Sequence, residues 1–79
     1  METSNLIAIL GAAGATGQAV SQELAARGAR LRLVGRRAGR LPDIAGAERV
    51  EADLETPDGA RKALAGVETA VLTLGLPYD

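Results

Sequence analysis

The sequence predicts an α/β fold in which four parallel strands, numbered along the chain, lie in the order 3-2-1-4. Three observations lead to this prediction. The first is a continuous apolar run over Leu6–Leu10, which is typical of a strand buried on both faces. The second is a glycine-rich turn directly after that run. The third is the alternation of apolar runs with segments of helical periodicity, the pattern of parallel strands joined by right-handed crossovers.

The first helix is predicted to begin at Ala15 and to end before Gly28. Positions 17, 20, 21 and 24 follow the spacing of one helix face, and all but Ser21 are apolar or small. Gly28 stands where a glycine commonly terminates a helix. A second apolar strand then covers residues 31–34. Residues 38–47 contain two glycines and a proline, so they are predicted to hold at most a short helix.

The second half of the chain repeats the alternation. Residues 49–52 fit a short edge strand. In the helix that follows, Thr56 fits the N-cap, Pro57 the first helical position, and Asp58 places negative charge in the first turn. The buried face of this helix is predicted to comprise Ala60, Ala63, Leu64 and Val67. Residues 69–74 form the last predicted strand, and we expect its outer edge to be unpaired.

Composition excludes several classes of function. The 79 residues include no cysteine and no histidine, which rules out disulfides, thiolate metal sites, a Ser-His-Asp triad and a zinc hydrolase within them. Nine basic and ten acidic residues give a net charge of −1, without the basic face expected of a nucleic-acid-binding protein. The longest apolar run is too short to span a membrane. The first five residues lack the basic group of a secretory signal, so we expect a cytoplasmic location.

Residues 11–17 read Gly-Ala-Ala-Gly-Ala-Thr-Gly, with glycines at a spacing of three. In a phosphate-binding turn, Gly11 would let the chain turn off the strand, and Gly14 would let the backbone approach a pyrophosphate. Gly17 would let the helix pack closely on the strand. The amides of residues 13–16 would then donate to phosphate oxygens. The alternative is an ordinary turn rich in small residues; we favour the phosphate site because packing alone does not require so many. No Gly-Lys-Ser/Thr follows, which argues against a P-loop.

The end of the second strand bears on the choice of cofactor. An NAD site normally has Asp or Glu there to hold the ribose 2′-hydroxyl. This chain has Arg36 and Arg37 instead, and the next acid is Asp43. Two guanidiniums would pair with a 2′-phosphate, so the sequence predicts NADP(H), with NAD the less favoured cofactor. The alternative is a solvated basic turn, since Arg40 is also nearby. The missing acid argues against an S-adenosylmethionine site as well.

Two further positions follow predicted strands. The carboxylate of Asp53 could accept from an adenine amino group or help to cap the next helix, and the sequence does not separate these roles. Gly75 would let ribose or nicotinamide approach the backbone, or would only begin the turn completed by Pro77. We interpret Tyr78 as a loop or packing residue and Lys62 as a solvated helix residue rather than as catalytic groups.

Together these motifs resemble the short-chain dehydrogenase/reductase superfamily. The resemblance is to its extended and atypical branch, the NAD-dependent epimerase/dehydratase-like and NmrA-like NAD(P)-binding proteins. It rests on the turn over residues 11–17, the Arg36-Arg37 pair, Ala52-Asp53-Leu54 and the strand end Leu72-Thr73-Leu74-Gly75. Residues 1–79 would form an incomplete Rossmann domain, the N-terminal cofactor half. One departure is Ala13, where many members carry a hydroxyl residue, and we expect this to weaken the turn without abolishing binding.

The resemblance implies a set of binding residues. The glycine turn would hold the pyrophosphate, and Arg36, assisted by Arg37, would bind the 2′-phosphate. The adenine would lie at Asp53 and the ribose side at the end of the fourth strand. The implied cofactor-binding residues are Gly11, Ala13, Gly14, Ala15, Thr16, Gly17, Arg36, Arg37, Asp53, Leu54, Leu74 and Gly75. No catalytic residue and no metal ligand is predicted, because the family's catalytic Tyr-x-x-x-Lys would lie beyond Asp79.

We therefore expect the NADP(H)-binding portion of an oxidoreductase or epimerase/dehydratase-like protein. One alternative is a non-catalytic NADP(H)-sensing regulator of the NmrA-like type, and another is a fragment with no ligand. The dinucleotide is the expected partner. Neither nucleic acid nor a membrane is expected as a partner, and self-association is expected through the exposed sheet edge.

Overall fold

A computed structural model of the chain describes residues 5–73. In chain order, its elements are β1 (Leu6–Leu10), α1 (Ala15–Ala26), β2 (Arg30–Gly35), a 3₁₀ helix (Ala38–Arg40), β3 (Glu48–Glu51), α2 (Pro57–Leu64) and β4 (Thr69–Leu72). The strands form one sheet in the order β3-β2-β1-β4, and every neighbouring pair is parallel. The predicted α/β class and the strand order 3-2-1-4 are therefore confirmed.

Strand β1 lies in the middle of the sheet, which explains its unbroken run of apolar residues. It pairs with β2 on one side and with β4 on the other. Ala8 and Ile9 point to opposite faces and are both completely buried. A strand covered in this way has no solvent-facing side, so no polar alternation is needed.

Helix α1 covers one face of the sheet with the stripe that the sequence predicts. Gly17 and Ser21 are its buried residues, and the hydroxyl of Ser21 donates to the Gly17 carbonyl at 2.7 Å. Val20 and Leu24 pack, partly buried, against a core of Ile9, Ala12, Leu31, Leu33 and Leu41. Beyond the last helical residue, Gly28 has φ of +86°, as its predicted role as a terminating glycine requires.

Helix α2 belongs to the opposite face, where Ala63 is buried against Val34 and Ala52. The predicted N-cap is confirmed, because the Thr56 side chain accepts from the backbone of Gly59 at 3.0 Å. The prediction that Leu64 is buried is wrong, since 42% of that residue is exposed. Consecutive helical residues point about 100° apart. A helix of only eight residues that buries Ala63 therefore directs Leu64 away from the sheet.

The bounds of three strands differ from the prediction. Strand β2 extends one residue beyond residues 31–34 at each end. Strand β3 begins and ends one residue earlier than residues 49–52. Strand β4 ends at Leu72 rather than at position 74; the Thr73 amide still donates to the Leu10 carbonyl at 2.9 Å, and Leu74 lies outside the described residues. Among the described strands, β4 has β1 as its one neighbour. Leu72 is 61% exposed.

Candidate functional site

The loops that follow the strands enclose a cavity of about 650 Å³. All strands are parallel, so these loops emerge at the same edge of the sheet, where ligands of such folds bind. The volume lies within the range of roughly 300–1,000 Å³ that is usual for small-molecule pockets. The residues that line it are Gly11, Ala13, Gly14, Gly35, Arg36, Arg37, Arg40, Ala52, Asp53, Leu54, Glu55 and Thr73.

The glycine turn forms the wall between β1 and α1. Amides of Gly11 and Ala12 both donate to the Val34 carbonyl, at 3.0 and 3.1 Å, which fixes the start of the turn to the end of β2. Gly11 has φ of +87°, a left-handed conformation that other residues rarely adopt. Its carbonyl accepts from the amide of Gly14 at 3.2 Å. The sharp turn predicted at Gly11 is therefore present.

The other two glycines of the turn have different surroundings. A Cβ atom on Gly17 would collide with the Gly11 carbonyl and lie 2.8 Å from Cα of Ala12, so Gly17 serves close packing of helix on strand. A Cβ atom on Gly14 would have one neighbour within 4 Å, the Gly11 carbonyl oxygen at 3.8 Å. The space beside Gly14 is thus open, and packing within the described residues does not require a glycine there.

Helix α1 presents its N-terminus beside this turn. The first intrahelical bond runs from the Gln18 amide to the Gly14 carbonyl at 2.8 Å, so the amides of residues 15–17 have no intrahelical acceptor. Ala15 and Thr16 are exposed. These two residues and Gly17 lie outside the cavity lining, although the turn that they complete bounds it. The Gln18 side chain donates to the Ala13 carbonyl at 2.9 Å and supports the turn, a contact that sequence reasoning missed.

The wall after β2 is basic. Arg36, Arg37 and Arg40 all line the cavity and are exposed, and none of them forms an ion pair within residues 5–73. The amide of Arg40 donates to the Arg37 carbonyl at 3.0 Å, and this single turn returns the third arginine to the cavity. Three positive charges on one concave surface attract anions. Sequence reasoning found the first two and treated Arg40 only as a neighbour.

The loop after β3 forms the next wall of the cavity, since β3 lies beside β2 in the sheet. Oδ1 of Asp53 accepts from the Glu55 amide at 2.9 Å, and the Asp53 carbonyl accepts from the Thr56 hydroxyl at 3.0 Å. Asp53 therefore shapes the turn that leads into α2 and at the same time lines the cavity with Leu54 and Glu55. Glu55 was not identified from the sequence, since no spacing rule marks it.

The fourth loop contributes Thr73, which is buried and which sequence reasoning assigned only to a strand. Its hydroxyl donates to the carbonyl oxygens of Leu10 at 2.8 Å and Gly11 at 3.1 Å. Leu74 and Gly75, predicted on the ribose side, lie outside the described residues. Across residues 5–73, no three His, Cys, Asp or Glu side chains are grouped so as to hold a metal ion. No helix in that same part of the chain is long and apolar enough to cross a membrane.

The described site lies in a segment that matches a known protein family. Residues 11–77 match the model of a family described as NAD(P)H-binding. The chain belongs to this NAD(P)H-binding family. The match begins at the first glycine of the turn and includes the arginines and the loop after β3. Membership of this family implies a nicotinamide dinucleotide as the cofactor.

Three solved structures are similar to the NAD(P)H-binding domain over most of its length. The oxidoreductase ylbE from Lactococcus lactis superposes with a TM-score of 0.80 at 22% identity over 90% of this chain. A short-chain dehydrogenase/reductase superfamily protein from Agrobacterium tumefaciens, with bound NAD, gives a TM-score of 0.74 at 27% identity over 92%. A protein from Burkholderia pseudomallei that is named as exported gives 0.75 at 30% identity over 94%. The similarity to the superfamily is confirmed. No curated protein sequence matches the chain.

The NAD(P)H-binding domain spans a minor part of these proteins. It corresponds to 33%, 21% and 34% of the three chains, respectively. The similarity therefore concerns only a part of each of these proteins.

Proposed function

We propose that the chain is the NADP(H)-binding portion of an oxidoreductase or epimerase/dehydratase-like protein. The observation that carries this proposal is the set of three guanidiniums, Arg36, Arg37 and Arg40, on the cavity wall after β2. A ribose 2′-phosphate is a compact anion, and arginine binds such groups through paired, charge-assisted hydrogen bonds. None of the three is engaged with a carboxylate in the described part of the chain, so their donors are free to bind an anion.

The cavity offers a complementary surface to each part of the dinucleotide. The pyrophosphate would lie against the glycine turn, where Gly14 leaves open space and the first amides of α1 lack intrahelical acceptors. The adenosine would extend toward the arginines and toward Asp53 and Leu54. The positions of Leu74 and Gly75 on the ribose side remain predictions from the sequence.

NAD is the competing cofactor, and it is bound in the Agrobacterium tumefaciens structure. An NAD site uses a carboxylate at the end of the second strand to hold the ribose hydroxyls. In this chain the carboxylates of the cavity, Asp53 and Glu55, follow β3, and the position after β2 is basic. This distribution of charge supports NADP(H) over NAD.

The residues of the site bind and orient the cofactor. The dinucleotide itself supplies the hydride chemistry when bound. The 79 residues contain neither histidine nor cysteine, and Tyr78 is the single tyrosine; in an enzyme of this family, catalytic groups would come from elsewhere. An NADP(H)-sensing regulator of the NmrA-like type needs no such groups and is the alternative.

Titration of the 79-residue chain with matched ligands tests the cofactor assignment. We expect isothermal calorimetry to give a Kd for NADP⁺ that is lower than the Kd for NAD⁺ by about ten-fold or more. The reason is that one charge-assisted contact contributes about 1.5–3 kcal/mol. Adenosine 2′,5′-bisphosphate and 5′-AMP should show the same order. Circular dichroism checks that each sample is folded. Equal affinities within either pair would show that the arginines do not read the 2′-phosphate, and the absence of saturable binding in a folded sample would favour a fragment with no ligand.

Two further properties remain proposals. A cytoplasmic location is predicted from the sequence. Self-association through β4 is supported by its position at the edge of the described sheet and by the exposure of Leu72. Light scattering after size-exclusion chromatography would report a dimer if this edge pairs, and a concentration-independent monomer would contradict it.

A further inference from the structure

Thr73 lies between Gly11 and Gly17, two glycines of the glycine turn over residues 11–17. It is buried at the end of β4, and 62 positions in the sequence separate it from Gly11. A Cβ atom on Gly11 would lie 3.1 Å from the Thr73 hydroxyl oxygen, and one on Gly17 would lie 2.9 Å from it. The hydroxyl therefore occupies the space that side chains at the first and third glycines would need.

The hydrogen bonds of Thr73 converge on the end of β1. Its hydroxyl lies 2.8 Å from the Leu10 carbonyl oxygen and 3.1 Å from that of Gly11. Its backbone amide also donates to Leu10, at 2.9 Å. The Gly11 carbonyl in turn accepts from the amide of Gly14 at 3.2 Å. One peptide group, that of Gly11, thus connects Thr73 to the middle of the turn.

We propose that Thr73 is a positioning residue for the phosphate-binding turn. Its hydroxyl holds the Gly11 carbonyl, and that carbonyl holds the Gly14 amide at the cavity wall. Gly11 has φ of +87° and no side chain that would restrict its backbone conformation. The hydrogen bond from Thr73 restrains the Gly11 carbonyl instead. The hydroxyl proton of Thr73 is shared between the carbonyl oxygens of Leu10 and Gly11. Thr73 therefore orients the turn and does not donate to the cofactor. This inference rests on the proposed function of the turn.

A matched pair of variants separates the hydroxyl from the volume of the side chain. Thr73→Val replaces the hydroxyl with a methyl group of similar size, whereas Thr73→Ser keeps the hydroxyl. The valine variant should fold, because Leu10 and Gly11 each retain a backbone donor. We expect it to weaken NAD⁺ and NADP⁺ equally, by about ten-fold, and the serine variant to stay within about three-fold of the wild type. The loss is equal because both cofactors contain the pyrophosphate.

A second readout reports the turn directly in the free protein. In NMR spectra, the Gly14 amide of the valine variant should shift and exchange with solvent faster, whereas in the serine variant it should not. A merely structural contribution would lower the Tm and leave that amide unchanged. If the valine variant does not fold, the wild type still provides a test. Its Thr73 hydroxyl proton should exchange slowly enough to give a separate resonance with a cross-peak to Gly11, and a freely exchanging hydroxyl overturns the proposal.

The outcomes distinguish this inference from the function on which it rests. If the wild type binds neither dinucleotide, the proposed function fails. If the wild type binds and Thr73→Val binds equally well, the function stands and the role of Thr73 is wrong. Equal losses in the serine and valine variants would show that retaining the hydroxyl does not preserve binding, which would also overturn the role of the hydroxyl.

Discussion

Nε of Arg32 lies 3.1 Å from Oε1 of Glu48, an ion pair between the neighbouring strands β2 and β3. Nη1 of the same guanidinium donates to the carbonyls of Ala63 at 2.9 Å and Ala65 at 2.8 Å, at the end of α2. A positive charge stabilises the C-terminal end of a helix, where carbonyls lack intrahelical donors. One strand residue therefore holds α2 against the sheet at the edge opposite the cavity.

We expect Arg32→Met to lower the free energy of unfolding by about 2 kcal/mol, because the charged hydrogen bonds to α2 are lost. Glu48→Gln is the control. Its side chain is 52% exposed, so the change should cost less than about 1 kcal/mol. Urea denaturation of the three proteins measures both values. An equal loss in the two variants would show that the ion pair, and not the contact with the helix, carries the effect.

Two alanine substitutions in the glycine turn should separate stability from binding. Gly17→Ala should mainly lower the stability, and Gly14→Ala should mainly weaken the binding of the cofactor. Gly17→Ala places a methyl group against the backbone of residues 11 and 12, and we expect about 3 kcal/mol or more of lost stability. Gly14→Ala meets open space and should cost about 1 kcal/mol or less at this N-cap position.

The methyl group at position 14 would nevertheless occupy the proposed pyrophosphate site, so Gly14→Ala should bind NADP⁺ about ten-fold or more weakly. Thermal unfolding followed by circular dichroism gives the stabilities, and calorimetry gives the Kd of Gly14→Ala. Unchanged affinity in that variant would place the pyrophosphate elsewhere.

Arg36→Gln should weaken NADP⁺ by about ten-fold or more and NAD⁺ by less than about three-fold, since one charge-assisted contact to the 2′-phosphate is lost. Arg61→Gln makes the same change of charge on α2, where Arg61 is exposed and pairs with Asp58 at 2.7 Å outside the cavity lining. The ratio of the two dissociation constants should stay at the wild-type value in this control. A ratio unchanged in Arg36→Gln as well would refute a role for Arg36 in selecting the cofactor.

Asp53 has one carboxylate oxygen engaged with the Glu55 amide, so its second predicted role, toward adenine, needs a separate test. Asp53→Asn keeps an oxygen for that amide and should change stability by less than about 0.5 kcal/mol. If Asp53 accepts from the adenine amino group, the wild type should prefer NAD⁺ over nicotinamide hypoxanthine dinucleotide by about ten-fold. The asparagine variant should lose that preference, because an amide can also donate to the 6-oxo group. A wild type without the preference would leave Asp53 the helix-capping role alone.

The predictions that succeeded rest on local chemistry. The unbroken apolar run of β1, the glycine that ends α1 and the Thr56 N-cap are all consequences of neighbours within a few residues. Leu64 was misjudged because it lies about 100° around the helix from the buried Ala63, at the last position of a helix of eight residues. Thr73, Glu55 and Arg40 were missed or undervalued because the cavity that they line is formed by loops distant from one another in the sequence.

The sequence by itself determined the α/β class, the strand order and the location of the sharp glycine turn, to which we assign the binding of phosphate as a prediction. Hydrophobic periodicity, chain connectivity and the need for glycine act locally and can be read along the chain. Only the tertiary structure decided that three arginines share one wall of the cavity and that Arg32 holds the end of α2. It alone placed the hydroxyl of Thr73 between Gly11 and Gly17. Such contacts arise when parallel strands bring the ends of separate loops to one edge, which no spacing in the sequence records.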